Sequence, residues 1–315
     1  MNKPDISVVI PVHNEEANLG KLYNRLIPVM DSLQKCYEVI FTNDGSQDKS
    51  AKILNELHER HPDAIRIIHF NSKYGQHSAI MAGLEKAQGE IVITMDANLQ
   101  TLPEDIPKLI EKIEAGHDVV GGCRENRKDK LWRTAASKLH HLICAKMMPK
   151  IIMKDQGCML RAYQEHIVDL MIMSKESNTF TPALALNYAH NPTEIPVSHD
   201  PLIQGQSKYN FYKLIRYNFD LITNFSLTPL HLFTLLGIFV SCLSGFLVVY
   251  MLIRRLFDGP EVQGVFTLFT IAFFFIGLCL LGLGILGEYI GRIYQEVRER
   301  PRFIIRNIQE KPNEP

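Results

Sequence analysis

The 315 residues contain no CxxC pair, no G-x-x-x-x-G-K-[S/T] loop, and no G-x-G-x-x-G loop after a predicted strand. Those absences remove zinc-ribbon, thioredoxin-like, P-loop and dinucleotide-redox readings. The six cysteines, at positions 36, 123, 144, 158, 242 and 279, are scattered and read as reduced thiols facing the cytosol. There is no excess of either charge: 34 basic residues meet 34 acidic ones, which gives no electrostatic reason to expect a nucleic-acid partner. Polar MNKPD runs straight into ISVVIPV, so no signal peptide is expected. No internal repeat is visible.

Charge is missing altogether from two stretches. Leu230–Ile253 and Gly264–Leu286 contain no Asp, Glu, Lys or Arg. Each is longer than the ~20 residues that cross a bilayer core as a helix. The polar connection Arg254–Gln263, with Asp258-Gly259-Pro260, makes them a transmembrane hairpin within 226–290. Lys208, Lys213, Arg216, Arg292, Arg298, Arg300 and Arg302 flank the hairpin, against Arg254 and Arg255 in its loop. This bias puts both ends in the cytoplasm, with 1–225 as a cytoplasmic domain and 291–315 as a cytoplasmic basic tail. The segment 128–150 is basic and amphipathic and carries the chain's only tryptophan, 205–225 mixes Lys and Arg with aromatics, and both are expected as interfacial amphipathic helices.

What the soluble part has is alternation. Apolar runs at Ser7–Val12, Tyr37–Thr42, Ile65–Phe70 and Glu90–Met95 are separated by amphipathic stretches at Glu15–Leu33, Lys49–Arg60, His77–Ala87 and Glu104–Ala115. Strands apolar throughout, alternating with helices, predict a Rossmann-like α/β fold whose mostly parallel sheet is covered on both faces. Past Val120 the pattern loosens, and DQGCMLRAY (155–163) reads as a short strand. Ligands of such sheets collect beyond the C-terminal strand ends. There the sequence places PVHNEE, NDGSQD and DANLQ.

In DANLQ, Asp96, Asn98 and Gln100 alternate, so in an extended segment their oxygens would point one way, toward a hard cation such as Mg²⁺ or Mn²⁺. The competing reading is an Asx turn, in which Asp or Asn bonds its own backbone. Asp44 and Glu15 stand at strand-to-helix turns, where a carboxylate could accept hydrogen bonds from a nucleoside or simply cap a helix. His77, in GQHSAIMAG, reads as a satisfied histidine at a helix start.

In this order, SVVIPVHNEE, NDGSQD, MDANLQ and GQSKY, followed by a two-span tail, resemble the inverting GT-A glycosyltransferases of family two. Within it the chain is similar to the polyprenyl-phosphate glycosyltransferases. The stretches KYGQHSAIMAG, DQGCMLRAY, GQSKY and LGEYIGRIYQEVRERPRF look most like the 4-deoxy-4-formamido-L-arabinose transferases of that group. The resemblance implies a GT-A fold, a UDP-sugar donor, an undecaprenyl phosphate acceptor in a bacterial inner membrane, and a role in lipid A or other envelope glycan modification. It also implies a homotetramer. Pro11, Glu15 and Asp44 would contact the nucleoside; Asp96, Asn98 and Gln100 would hold Mg²⁺ or Mn²⁺ under the diphosphate. Arg124 and Arg161 would face donor and acceptor phosphates, Lys208 and Tyr209 would close over the donor, and Asp155 would lie near the reacting carbons. The family pattern has Asp where this chain has Asn43 and Asn98. Three rivals stand beside this reading: a bactoprenol glucosyl- or N-acetylhexosaminyltransferase, a non-catalytic nucleotide-sugar or lipid-phosphate scaffold, and a processive synthase. The last needs more spans and a Gln-x-x-Arg-Trp element, which the chain lacks.

Overall fold

The computed structural model describes residues 3–124, 155, 157–174, 180–198, 228–258, 265–298 and 301–310. The chain divides into two units, Met1–Lys208 with Pro301–Pro315, and Tyr209–Arg300.

In the first unit the apolar runs form strands where β-branched residues cluster. These are β1 (Ile6–Val12), β2 (Tyr37–Asn43), β3 (Ile65–Phe70) and β4 (Ile91–Thr94). Every residue of β1 is buried, as expected for a central strand covered on both faces. Helices α1 (Leu19–Ser32), α2 (Ser50–Arg60) and α3 (Gln76–Leu84) follow the first three strands; a 3₁₀ turn at Pro103–Asp105 and α4 (Ile106–Glu114) follow the fourth. The chain continues through β5 (Val119–Arg124), β6 (Arg161–Gln164), α5 (Glu165–Met173), α6 (Thr181–Tyr188) and β7 (Pro192–Val197). The last strand is β8 (Ile305–Gln309).

The sheet order is β7-β5-β6-β4-β1-β2-β3-β8. The block β4-β1-β2-β3 is parallel, whereas β6 pairs antiparallel with β4 and β5, and β8 antiparallel with β3. Its core includes Val8, Ile10, Leu22, Leu26, Phe41, Leu54 and Ile67, each contributing about 1.5–3 kcal/mol by burial. At the strands' N-terminal ends the buried Glu38 accepts from Ser7 Oγ at 2.6 Å, Arg66 at 2.8 Å and the Gln88 N–H at 2.8 Å. That carboxylate fastens the end of the sheet opposite the polar clusters.

Pro11 tolerates a central strand because of where β4 stops. The β1–β4 register runs only from Ile6 to Val9, and the Met95 N–H donates to the Val9 carbonyl at 3.2 Å. Alternation puts the Pro11 nitrogen on that same side, beyond the last ladder bond, so its missing N–H removes nothing.

Two outcomes differ from the sequence reading. The 291–315 tail, expected as a separate basic extension, supplies β8 to the sheet: Ile308 pairs with Ile68, and Phe303 stacks on Phe70 at 5.1 Å. Of DQGCMLRAY only Arg161–Tyr163 is strand.

In the second unit, α7 (Thr228–Asp258) and α8 (Val265–Val297) are long helices. Among the described residues, Ile271–Gly291 is long and apolar enough to cross a membrane, with mean hydropathy 2.2. Leu235, Phe239 and Phe246 on α7, with Phe273, Phe274 and Leu283 on α8, are exposed. Phe233 of α7 lies over Gly282 of α8, whose added Cβ would sit 2.0 Å from the ring, so a side chain there has no room. The segments 128–150 and 205–225 lie outside the described residues.

Candidate active site

The loops after β1, β2 and β3 are laced to one another at the sheet's C-terminal edge. Asn14, at φ +58°, receives the Gln47 N–H on Oδ1 at 2.8 Å and donates its own N–H to Ser46 Oγ at 3.1 Å. The Glu15 N–H donates to Ser50 Oγ at 2.9 Å. Asp44 is buried at this junction. Its Oδ1 accepts the Tyr74 N–H at 2.6 Å, its Oδ2 the Gly75 N–H at 2.9 Å, and its carbonyl the His13 Nδ1–H at 2.8 Å. The carboxylate thereby fixes the turn that opens α3. Gly45 has no alternative there: φ is +59°, and a Cβ would stand 2.7 Å from the Ser72 carbonyl carbon.

The next residue on α3 reaches the candidate metal strand. Gln76 Nε2 donates to Asp96 Oδ1 at 2.6 Å. Burial pushes the Asp96 carboxyl up to about 6; Arg124 opposes the rise and Glu15 adds to it. Glu15 is itself raised, chiefly by burial, against the hydrogen bond it accepts from Asn18 at 2.6 Å. Asp96 feels the charges of both Arg124 and Glu15, which puts its carboxylate between them electrostatically.

Asn98 and Gln100 do not join Asp96 there as expected. Strand β4 ends at Thr94, Leu99 takes φ +59°, and Asn98 Oδ1 accepts the Gln100 N–H at 3.0 Å. The segment is an Asx turn, so strand alternation does not govern where its side chains point.

Arg124, closing β5, forms a forked pair with Asp155: Nε to Oδ2 at 2.6 Å and Nη2 to Oδ1 at 2.8 Å. The Arg124 and Gly157 N–H groups add bonds to the same carboxylate at 3.3 and 3.0 Å. Burial works against ionisation of Asp155, but these donors and the guanidinium charge outweigh it and hold the carboxyl below its ordinary range. Arg161, expected to face a phosphate, is buried in β6 instead. It donates to the Cys158 carbonyl and the Asp155 carbonyl, both at 3.1 Å, because the side chain crosses the backbone of Gly121. It shapes the turn that carries Asp155. Lys208 and Tyr209 lie outside the described residues.

His77 is half-buried, meets Thr181 Oγ1 at 3.2 Å and the Phe180 ring edge-on at 5.1 Å, and desolvation of its ring pushes it down to about 4. It is a neutral packing residue. Gln76 was missed by the sequence reading; its signal was its place as the first residue of the helix after the third parallel strand. Among the described residues, no cluster of three His, Cys, Asp or Glu could hold a metal ion.

The arrangement is one of loops at parallel strand ends with a buried carboxylate on each side. The model of the family described as glycosyl transferase family 2 matches residues 7–169, which span all the described elements of this site. The chain belongs to glycosyltransferase family 2. This family 2 chain is 45% identical over 305 residues to an undecaprenyl-phosphate 4-deoxy-4-formamido-L-arabinose transferase of Edwardsiella ictaluri, covering 96% of this chain and 94% of that one. A protein of the same description from Pectobacterium atrosepticum is 47% identical over 304 residues, covering 96% and 92%. A solved structure of a mycobacterial protein superposes with a TM-score of 0.50 at 16% identity, covering 70% of this chain and 73% of that one. That likeness concerns the fold alone.

Proposed function

We propose that this family 2 glycosyltransferase moves 4-deoxy-4-formamido-L-arabinose from a UDP-sugar to undecaprenyl phosphate at the cytoplasmic face of a bacterial inner membrane. The observation that carries the reading is identity of 45–47%, over almost the whole length, with transferases of that description. In this reading the α7–α8 pair is a two-span hairpin that keeps the catalytic unit at the height of the lipid phosphate, and the assembly is a homotetramer.

The donor's nucleoside lies against Pro11, Glu15 and Asp44, with Lys208 and Tyr209 closing over it. A divalent cation, Mg²⁺ or Mn²⁺, suits Asp96. Burial pushes that carboxylate up to about 6, no salt bridge reaches it among the described residues, and the charge of Arg124 offsets the burial only in part. Asn98, whose amide oxygen accepts the Gln100 N–H, would be a second oxygen donor beside Asp96. When bound, the cation supplies positive charge beside the departing UDP.

The acceptor needs no strong base, since a phosphate monoester is already largely dianionic at pH 7. Asp155 fits this: paired with Arg124 it stays anionic and proton-poor, suited to orienting the sugar or steadying positive charge at the anomeric carbon. Arg124 holds Asp155 and lends its remaining donor capacity to a phosphate oxygen. The test is incubation of the purified protein with undecaprenyl phosphate and a panel of UDP-sugars, read as lipid-linked sugar by mass spectrometry. Product from the formamido-arabinose donor alone supports the assignment; product from UDP-glucose or UDP-N-acetylhexosamine replaces it with another polyprenyl-phosphate transferase.

A further inference from the structure

Consecutive residues at the end of β2 point to opposite faces of the sheet. Asp44 serves the face where α3 begins. Asn43 turns to the other face, where its Nδ2 donates to His69 Nδ1 at 3.0 Å and His69 Nε2 in turn meets Asn55 Oδ1 of α2 at 3.3 Å. Beside this row lies a groove of about 930 Å³ between α2, the end of β3 and the returning strand β8, with His13, Asn14, Gly45, Ser46 and Gln47 of the loops after β1 and β2 also lining it. Its cations are Arg306 on β8 and Lys73 after β3, and no carboxylate is among its lining residues. Both cations are exposed, and neither joins an ion pair among the described residues. Asn55 and Asn307 line the same space with neutral amides.

Two free cations at one groove, backed by amide donors and free of competing carboxylate, match a phosphate oxyanion. Arg supplies a planar fork and Lys a point charge. The groove holds far more than a bare phosphate ion, so the ligand is an ester with a polar body. We propose that the groove between α2 and β8, which opens beside the loops after β1 and β2, is a second anion site taking a phosphate ester. Two of the residues that would grip it, Arg306 and Asn307, stand on a strand that closes the sheet edge. Ligand binding therefore favours the paired state of β8, already held by the Asn71 N–H to the Ile304 carbonyl at 3.2 Å and by Arg66 to Glu310 at 2.7 Å. The ester is either a lipid headgroup or a soluble metabolite.

The experiment is calorimetric titration of inorganic phosphate into the full chain in phosphatidylcholine nanodiscs, repeated with phosphatidylglycerol included, and a separate titration with UDP. Arg306→Gln is expected to weaken phosphate binding about tenfold or more, with Arg306→Lys recovering part of it and UDP affinity unchanged in both. Competition by phosphatidylglycerol assigns the site to a headgroup; its absence assigns it to a soluble ester. Equal phosphate affinity in wild type and Arg306→Gln, no phosphate binding by the wild type, or a parallel loss of UDP affinity overturns the proposal.

Discussion

The Arg124–Asp155 pair lends itself to a quantitative test. Its side chains are only 12% and 4% exposed, and the carboxylate accepts two guanidinium and two backbone N–H bonds. Removing one partner strands the other charge in a poorly solvated place, which costs about 3–5 kcal/mol. Asp155→Asn keeps the shape but loses charge and one acceptor, so it should fall near the lower end. Arg124→Gln should cost about as much. The double variant removes both charges and should cost less than the sum, giving a coupling of about 2 kcal/mol or more in a double-mutant cycle. Urea unfolding of the full chain in detergent, followed by circular dichroism, supplies the four stabilities. Asp155 has its folded pKa depressed, so this stability is present above its unfolded value, about 3.9, and is lost as pH falls through the folded value. The coupling should be flat from pH 6 to 8 and fade toward pH 3, and Asp155 should add no limb to the rate profile near neutrality. A coupling below about 0.5 kcal/mol, or one that changes between pH 6 and 8, refutes the reasoning.

Asp96 behaves in the opposite sense. With its carboxyl pushed up to about 6, Mn²⁺ affinity measured by paramagnetic resonance should fall as pH drops below that value, because the ligand must be ionised. The raised value also means that ionised Asp96 destabilises the metal-free protein as pH rises through it, so Asp96→Asn should raise metal-free stability at pH 8, seen as a higher unfolding midpoint, while losing activity. Asn98→Asp keeps an oxygen for the Gln100 N–H and should leave unfolding within about 0.5 kcal/mol of wild type while tightening Mn²⁺ severalfold in the same assay. Gly45→Ala forces a Cβ against the Ser72 backbone at positive φ and should cost about 2 kcal/mol; tolerance of alanine in the unfolding assay would show that the loops are not laced as described.

The parallel block was legible because each of its strands is a buried apolar run flanked by turn residues, and β3 emerged with the expected bounds, Ile65–Phe70. Strands β5, β7 and β8 were not. Pro192–Val197 alternates buried and exposed positions at the sheet margin, and Ile305–Gln309 is short and polar, so neither carries the continuous apolar signal. Asp44 and Asp96 were visible as carboxylates at strand ends. The Asx turn at Asn98 appeared only as a competing reading, since strand alternation holds only while the strand continues. Arg161, which the resemblance sets against a phosphate, lies inside the sheet with backbone carbonyls as partners, a placement that no local pattern encodes. Gln76 and the Asn43–His69–Asn55 row depend on contacts between elements apart in sequence, which no local pattern encodes.

The central claim is a metal-dependent transfer to lipid phosphate organised around Asp96. Its most direct test is formation of glycosylated undecaprenyl phosphate, followed by mass spectrometry with Mn²⁺, Mg²⁺ or EDTA, for the wild type and Asp96→Asn. The account predicts product with metal, none with EDTA, and a loss of about 10²–10³ in rate for the variant. Absence of product from every UDP-sugar in the wild type, or an Asp96→Asn protein that transfers at the wild-type rate, would contradict it.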